Sequence, residues 1–471
     1  MSLIFNSLLN LGTPVTSDAG GEWKVISPAH LERELGKCQY RFAEIETAVL
    51  GARQSKSLLS KLSFSEKLSV IRNAALTLQR EKATLFDLAS QELGRGRADL
   101  EQEWRSLELF LALCSDQSHL PEIENSVPRG ISVVLGSQVW PIFHSVNFAF
   151  LNFLAGNVVI LKPSEKASLT VLKLFELLRA AHSEFFSIQV LLGEREVGRR
   201  LACHEGVSTV IFQGCFEVGI RVRQDNLSQP AKEVLLYLGA KNPSIIFQDA
   251  PEEVFEVLLR DAFQGSGQDC KSISLAFVER PFLKEFSKRF HERSKNFSIG
   301  PPETNAFMGP LIDGAMLDRY YKFIGISERE GAEILMRGKP LLVAGKGHYI
   351  TPTLALFETL SPEQMRKSVS LQTETLSPHL SMVGFEDEAH LLLLLEQMNH
   401  GRTASVWTAD RNRARRLADS IEYGAVVING STLDANPKEC FQARKRSGNH
   451  ALYGMGLLSQ LVHQKTVRTP E

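Results

Sequence analysis

Apolar side chains in the first quarter of the chain are spaced as in helices. Between residues 28 and about 114 they recur at helical intervals, and a second amphipathic run opens at Phe64 with Ser65 as its predicted N-cap. The first run has its apolar positions at Leu31, Leu35, Cys38 and Phe42. The spacing predicts helices over this region, followed by a polar connection or a short edge hairpin over residues 119–128.

The pattern changes at Ile131, where short apolar runs rich in β-branched residues begin. Helical stretches of about a dozen residues separate most of these runs. The alternation is typical of βαβ units on a parallel sheet whose strands are buried on both faces. The predicted strands are residues 131–135, 158–161, 188–192 and 207–212, with a further strand running into the turn at Gly239.

A second alternating region follows Gly239. Strands are predicted at residues 244–247, 274–278, 381–384, 404–407 and 425–428, and helices at 251–265, 281–294, 314–330, 387–399 and 410–420. The sequence therefore predicts two α/β domains that meet near residue 239. Ligands of such sheets bind beyond the carboxyl ends of the strands, which directs attention to the loops at 136–145, 162–165 and 212–219.

Composition narrows the classes of partner. The 53 Lys and Arg residues against 54 Asp and Glu leave a net charge of -1, so neither nucleic acid nor an anionic membrane is predicted as a partner. Six cysteines without CxxC spacing favour free thiols in a reducing cytoplasm. Residues 1–15 do not have the pattern of a signal peptide, and the apolar segment 148–161 is interrupted and too short to span a bilayer.

Two strand ends carry residues suited to a nucleotide. Lys162-Pro-Ser-Glu165 follows a buried strand, where a Lys and a Glu three residues apart could hold ribose hydroxyls, and where Pro163 or Ser164 could start the next helix. The alternative is an ion pair leading into a helix cap. Gly214 and Gly219 bracket another helix start, which suits a phosphate, although a plain turn satisfies the same pattern.

Cys270 ends a Gly-rich loop, Gln264-Gly-Ser-Gly-Gln-Asp-Cys270. A buried cysteine that packs as a small apolar residue is the ordinary state. The polar residues and glycines just ahead of it favour an accessible thiol instead, as in a nucleophile. From local chemistry alone, both interpretations stay open.

Taken in order, these motifs resemble the NAD(P)-dependent aldehyde dehydrogenase superfamily. The similarity continues through Leu238-Gly-Ala-Lys-Asn-Pro243, Met308-Gly-Pro-Leu311, Glu374-Thr-Leu-Ser-Pro378, Asn399-His-Gly401 and Gly424-Ala-Val-Val-Ile-Asn429, and so covers residues 28 to about 460. Ser447-Gly-Asn-His450 is most similar to the succinylglutamate-semialdehyde dehydrogenase branch.

The resemblance implies an architecture of two Rossmann-type α/β domains with parallel sheets and a small oligomerisation element. It assigns residues 1–115 and 129–238 to a dinucleotide-binding domain and 239–440 to a catalytic thiol domain. Residues 116–128 and 441–471 become bridging elements. A homodimer or homotetramer acting on a small aldehyde or acyl substrate is expected.

The resemblance also implies roles for single residues. Cys270 is the nucleophile, Lys162 and Glu165 bind a ribose, and Glu374 holds the nicotinamide-side ribose. The cofactor is NAD or NADP, with NAD weakly preferred because Glu165 would repel a 2′-phosphate; no metal is predicted. The remaining cofactor-binding positions are Gln213, Gly214, Cys215, Gly219, Leu238 and Leu376.

Several of these positions depart from the family pattern. Val139 stands where the family has the Asn that stabilises the oxyanion, and loss of one such donor costs about 10²–10³ in rate. Tyr237 stands where the family has its general-base Glu, and a phenol with a pKa of about 10 is a poor base at neutral pH. Gln213 and Cys215 replace Thr and Ser of the phosphate loop, and Leu376 replaces a Phe beside the nicotinamide.

Three functional hypotheses accommodate these departures. The chain is an aldehyde or semialdehyde oxidoreductase with compensating groups, for which Tyr237 and His144 are candidates; otherwise His144 is a surface residue at a helix start. Alternatively, it is a binding or regulatory protein that has lost turnover. As a third hypothesis, it is an acyl-CoA or acyl-phosphate reductase, since such an enzyme would gain from losing the water-activating Glu.

Overall fold

The computed structural model describes residues 3–12, 19–115, 126–343, 346–434, 439, 441–450 and 455–468. The predicted connection at 119–128 is therefore seen only from Ser126 onward, and Cys440 lies outside the described residues. The N-terminal elements are β1 (Ile4–Phe5), β2 (Gly20–Ile26), β3 (Glu34–Arg41), α1 (Glu44–Leu59), α2 (Phe64–Leu93) and α3 (Arg97–Ser115).

The helix predicted over Leu31–Phe42 is wrong, because most of this segment is strand β3. The strand buries Gly36, Cys38 and Tyr40 and leaves the residues between them partly exposed, which is the two-residue period of a strand. It pairs antiparallel with β2 and parallel with β1. The helical spacing of the apolar residues was thus coincidental.

Helix α2 begins two residues earlier than its predicted cap implies. Its N-cap is Ser63, whose hydroxyl accepts from the backbone N–H of Glu66 while the Glu66 carboxylate accepts from the backbone N–H of Ser63. This reciprocal capping box gives both backbone N–H groups a hydrogen-bond acceptor, which a cap at Ser65 would not do.

The middle of the chain alternates strands and helices as predicted. Its elements are β4 (Ser126–Pro128), β5 (Ile131–Leu135), α4 (Pro141–Ala155), β6 (Val158–Lys162), α5 (Ser168–Ala181), β7 (Ile188–Val190), α6 (Arg195–Cys203), β8 (Thr209–Gly214), α7 (Phe216–Asp225) and β9 (Glu233–Leu238). Helix α5 starts at Ser168, later than Pro163 or Ser164. The strands form a parallel sheet in the order β7-β6-β5-β8-β9, here called the smaller sheet.

The second alternating region forms a sheet in the order β12-β13-β14-β11-β10-β16-β17, here called the larger sheet. Its strands run parallel except the edge strand β12. The elements are β10 (Asn242–Ile246), α8 (Val254–Phe263), β11 (Ile273–Glu279), α9 (Arg280–Ser294), α10 (Gly314–Arg329), β12 (Glu333–Met336), β13 (Thr353–Phe357), α11 (Pro362–Lys367), α12 (Val369–Gln372), β14 (His379–Phe385), α13 (Glu388–Glu396), β15 (His400–Gly401), β16 (Thr403–Trp407), α14 (Arg411–Ser420) and β17 (Ala425–Ile428).

The C-terminal elements are β18 (Arg444–Lys445), α15 (Gly456–Gln460) and β19 (Val462–Gln464). Strand β19 pairs antiparallel with β4 of the same chain. Asn157 Nδ2 donates to the Leu461 carbonyl at 2.8 Å, and Arg129 Nε donates to that of Gln460 at 2.8 Å. The described part of the predicted C-terminal bridging element is therefore anchored to the smaller sheet.

Helix α4 is buried along its whole length and follows β5 directly, so its N-terminal end lies at the carboxyl edge of the smaller sheet. Its apolar sequence reflects this burial between layers. Among the helices that the structure describes, none combines the length and apolar character needed to cross a membrane.

Candidate active site

The strand order of the smaller sheet reverses at β5: β6 and β7 are added on one side of this strand, and β8 and β9 on the other. Open parallel sheets bind ligands at such a point, beyond the carboxyl ends of the strands. Two neighbouring cavities of about 360 and 220 Å³ lie there. The first is lined among others by Gly136, Lys162, Glu165, Arg195, Arg199 and Phe212, and the second by Ser137, Gln138, Val139, Gln213, Gly214, Cys215, Tyr237, Leu238, Gly239, Cys270, Glu374, Leu376 and Arg402.

Lys162 and Glu165 face the first cavity as an ion pair, with Lys162 Nζ 2.7 Å from Glu165 Oε1. The alternative interpretation, an ion pair that leads into a helix cap, agrees with the structure in the ion pair but not in the cap. The pair is present, but the N-terminus of α5 is capped by Glu92, whose carboxylate accepts from the backbone N–H groups of Leu169 and Thr170. The lysine and glutamate side chains are thus held at the cavity rather than at the helix.

The predicted phosphate loop lies between β8 and α7. Helix α7 follows Cys215, whose side chain makes no capping hydrogen bond, so the first backbone N–H groups of the helix face the loop without a side-chain cap. A Cβ atom at Gly219 would approach Leu238 Cδ2 to 2.5 Å. Gly219 therefore serves close packing of α7 on β9.

Cys270 follows a tight turn at residues 264–267. Gly265, Ser266 and Gly267 have φ of 58°, 58° and 64°, and the Ser266 hydroxyl donates to the Gly309 carbonyl at 2.7 Å, which holds the non-glycine residue in this conformation. The Cys270 carbonyl accepts from Asn242 Nδ2 at 2.9 Å. The turn thus delivers the thiol to the second cavity, just ahead of β11.

Of the two interpretations left open for Cys270, a buried thiol and an accessible one, the structure combines parts of both. Cys270 lines the cavity but is only 8% exposed, because it is packed between the two sheets. Burial raises the pKa of its thiol to about 12, although the positive charge of Arg402 acts in the opposite direction. The resting side chain is therefore a neutral thiol.

Val139, Gln213, Cys215 and Leu376 all line the wall of the second cavity. The backbone N–H of Val139 donates to the Ser137 hydroxyl at 3.1 Å, and Gln213 Nε2 reaches the Val139 carbonyl at 3.5 Å. The side chain of Val139 offers the cavity an apolar surface.

His144 is not a surface residue, which corrects one of the two interpretations given for it. It lies in α4, is 2% exposed, and its ring centroid is 5.2 Å from that of Tyr237. Burial lowers the pKa of His144 well below its usual range. The imidazole is therefore neutral and lies behind Tyr237, in an aromatic cluster that includes Trp140, Phe143 and Phe148.

Arg402 belongs to the site although no sequence motif indicates it. It is fully buried, its Nη1 donates to the Leu238 carbonyl at 2.8 Å, and its guanidinium carbon lies 4.5 Å from the centre of the Tyr237 ring. The available signal was a charged residue beside the otherwise apolar run of β16. A charged side chain buried at a cavity wall is a candidate functional position.

Glu374 closes the second cavity opposite the turn at Gly239. The backbone N–H of Ala240 donates to Glu374 Oε1 at 3.0 Å. Burial raises the pKa of Glu374 to about 7, while this hydrogen bond and the charge of Arg402 keep it from rising further. The carboxyl is thus half ionised near neutral pH.

Comparison with known proteins identifies the family. A model of the aldehyde dehydrogenase family matches residues 15–467. The chain belongs to the aldehyde dehydrogenase family. Membership confirms the expected oxidoreductase class and the family resemblance.

Two curated relatives of this aldehyde dehydrogenase family member illustrate the range of substrates. It is 28% identical over 440 residues to Betaine aldehyde dehydrogenase 1 of Rhizobium meliloti (strain 1021), covering 90% of this chain and 88% of that protein. It is 26% identical over 468 residues to the Alpha-ketoglutaric semialdehyde dehydrogenase of Bacillus subtilis (strain 168), covering 95% and 94%.

Solved structures confirm the fold of this family member. A betaine aldehyde dehydrogenase from Staphylococcus aureus in complex with NAD+ superposes with a TM-score of 0.87 at 21% identity, over 97% of this chain and 93% of that one. An NAD-dependent aldehyde dehydrogenase from Sinorhizobium meliloti gives a TM-score of 0.89 at 21% identity, over 98% and 94%. The predicted α/β architecture with parallel sheets is therefore confirmed.

Proposed function

We propose that the chain oxidises an aldehyde with NAD(P)+ through a covalent adduct on Cys270, and that release of the acid is its slow step. The observation that carries the proposal is one cavity lined by the Cys270 thiol, the loop of Gly214 and Cys215, and Glu374. Similarity to semialdehyde dehydrogenases, including the succinylglutamate branch suggested by residues 447–450, supports an aldehyde of that kind.

The residues at the carboxyl edge of the smaller sheet fit a dinucleotide. Lys162 and Glu165 would hold the adenosine-side ribose, the α7 N-terminus the pyrophosphate, and Glu374 the second ribose. When bound, NAD(P)+ supplies the acceptor for the hydride of the aldehyde; NAD is preferred weakly because Glu165 would face a 2′-phosphate.

The chemistry of the thiol follows three steps. The Cys270 thiol loses its proton and its sulfur adds to the aldehyde carbon, so an S–C bond forms and the carbonyl oxygen becomes an oxyanion. Departure of hydride from that carbon restores the carbonyl and leaves a thioester. Water then displaces the sulfur, which releases the carboxylic acid and regenerates the thiol.

The departures act on different steps. Val139 removes a donor for the oxyanion, and the raised pKa of Cys270 lowers the thiolate fraction, so both slow the first step. Tyr237 cannot activate water near neutral pH, so hydrolysis of the thioester is slowed as well. At pH 9 the thiolate fraction is about a hundredfold higher than at pH 7, so attack by the thiol is less limiting there and slow hydrolysis is easier to detect.

The test is a rapid-mixing assay at pH 9 with NAD+ or NADP+ and a panel of aldehydes. We expect a burst of reduced cofactor that approaches one equivalent of enzyme, followed by slow turnover, and a thioester on the Cys270 peptide by mass spectrometry. The burst should disappear in Cys270→Ser. It should persist in Cys203→Ser, a matched control in which the half-buried thiol at the end of α6 is removed.

Other outcomes would replace the proposal. A burst that survives Cys270→Ser would show that this thiol is not the nucleophile. Failure of both NADH and NADPH to bind, followed by fluorescence, would favour the binding or regulatory protein. The acyl reductase would be favoured if coenzyme A or phosphate accelerates the slow phase and the enzyme reduces the corresponding acyl compound with NADH. Tyr237 is compatible with that function, because such an enzyme does not need a residue that activates water.

A further inference from the structure

Two positively charged side chains lie against aromatic rings around the thiol. The guanidinium of the fully buried Arg402 lies over the ring of Tyr237, with its central carbon 4.5 Å from the ring centre. Its Nη1 donates to the Leu238 carbonyl at 2.8 Å, which fixes the group at the cavity wall. The π face of Tyr237 is thereby covered by a cation of the chain itself.

Lys271 lies in a similar way over the ring of Trp140. Its Nζ lies 3.5 Å from the centre of the Trp140 ring and donates to the Leu433 carbonyl at 2.9 Å. The side chain is 2% exposed and directly follows Cys270. Trp140 directly follows Val139 of the cavity wall. One face of each ring is therefore covered by a basic side chain of the chain itself. Arg402 lines the cavity, whereas Lys271 lies behind its wall, where burial lowers the pKa of the lysine.

This arrangement determines which charge a substrate can carry. Proteins recognise quaternary ammonium ligands with aromatic faces, and such a ligand would here meet the like charge of Arg402 on Tyr237, the ring of the pair that lines the cavity. The charged side chains that line the cavity are Arg402 and Glu374. The guanidinium keeps its charge at every working pH, whereas the raised pKa of Glu374 leaves that carboxyl only half ionised near neutral pH. Asp269, beside the thiol, accepts from the backbone N–H of Lys271 at 2.8 Å, and its negative charge acts on Cys270 against the larger effect of Arg402.

We infer that the site selects aldehydes carrying a negative charge and rejects cationic aldehydes, with Arg402 as the main specificity-determining residue and Lys271 as the second. The inference rests on the proposed function, since it names the substrate class of the same site. The two curated relatives act, by their names, on aldehydes of opposite charge, and the internal cations place this chain with the semialdehyde type.

The first test compares kcat/KM for four aldehydes on the wild-type enzyme. Succinic semialdehyde carries the negative charge and pentanal is its neutral comparison; betaine aldehyde carries the positive charge and 3,3-dimethylbutanal is its neutral isostere. We expect the anionic aldehyde to exceed its comparison by about tenfold and the cationic one to fall below its isostere by about tenfold. Equal or better use of betaine aldehyde than of its isostere would overturn the inference.

Substitutions then locate the effect. In Arg402→Leu and Lys271→Met the preference for the anionic aldehyde should shrink, whereas Arg402→Lys keeps the charge and should retain much of it. Arg415→Leu is the matched control, because that arginine is 76% exposed on α14. If Arg402→Leu does not fold, the inference can still be tested with Arg402→Lys, with Lys271→Met and with the four aldehydes on the wild type.

A second measurement does not require turnover. Iodoacetate and iodoacetamide alkylate thiols with similar chemistry but differ in charge, so the ratio of their rates at Cys270, read by mass spectrometry, reports the local potential. We expect this ratio to fall about tenfold in Arg402→Leu and to stay unchanged at Cys203. An unchanged ratio at Cys270 in the folded variant overturns the inference, while a fallen ratio in a protein that oxidises no aldehyde would reject the proposed function alone.

Discussion

At the scale of single residues, the burial of Cys270 determines how the thiol reacts in the absence of ligands. Its pKa is raised to about 12 by burial, so the side chain is a neutral thiol at pH 7 and only the thiolate is nucleophilic. The alkylation rate of Cys270 by iodoacetamide should therefore increase about tenfold per pH unit between pH 7 and 10, without a plateau. Peptide-resolved mass spectrometry of the labelled enzyme measures this profile.

An ordinary thiol gives the comparison. A cysteine-containing model peptide, with a pKa of about 8.5, should reach its plateau within the same range. A plateau for Cys270 below pH 9 would mean that the thiolate is already stabilised in the resting site, and that burial is outweighed by Arg402.

Most residues of the candidate site could be predicted because they lie in short motifs whose order is preserved. Val139, Tyr237, Glu374 and Cys270 were each located by their place in such a motif, and all line one cavity. Arg402 could not be located in this way, because its role depends on stacking over Tyr237, a contact between residues distant in sequence. His144 was left open for the same reason: helix α4 is buried on all sides, which its position after Pro141 does not reveal.

At the scale of elements, most of the parallel strands were predicted well, whereas the parallel strand β13 and the N-terminal strand β3 were not. Strands such as β5 and β6 are buried on both faces, so Val, Ile and Leu make up all but one residue of each. Strand β3 has one buried face and contains Gly36 and Cys38, with no β-branched residue, so its two-residue period is faint. Its pairing with β2 outweighs the local pattern.

Helix α5 depends on a carboxylate from another helix for its N-terminal cap. Glu92 of α2 accepts from Leu169 N, Thr170 N and the Thr170 hydroxyl, and burial raises the pKa of Glu92 from 4.5 to about 7. A folded-state pKa above that of the unfolded chain gives stability that is present below pH 4.5 and lost as the pH rises through 7.

The change Glu92→Gln removes this titration. Between pH 4.5 and 7 the wild type should lose about 3 kcal/mol of unfolding free energy relative to Glu92→Gln. Urea unfolding of both proteins at several pH values measures this difference. Asp87→Asn, at an exposed position of the same helix, is the control and should show no such trend. A constant difference for Glu92→Gln would show that the carboxyl stays ionised in the folded protein.

At the scale of the whole molecule, the larger sheet has an apolar edge at β17. Ala425 and Asn429 donate their backbone N–H groups to Arg402 and Val406 of the β16 side, so the N–H groups of Val426 and Ile428 point away from the sheet. Ile428 is 40% exposed, and the described residues provide no strand beyond β17. An apolar edge of this kind pairs readily with another chain, and homo-oligomers are commonly built from such surfaces.

We therefore expect the chain to be at least a dimer that uses this edge, and Ile428→Lys to dissociate it. A lysine there would place charge on both sides of a two-fold contact and lower the affinity by about tenfold or more. Sedimentation velocity over a range of concentrations measures the shift from dimer to monomer. Ile26→Lys is the matched control, since that isoleucine is 45% exposed at the end of another edge strand, β2. Dissociation by both variants alike would assign the effect to added charge in general, and a wild type that sediments only as a monomer would refute the oligomer itself.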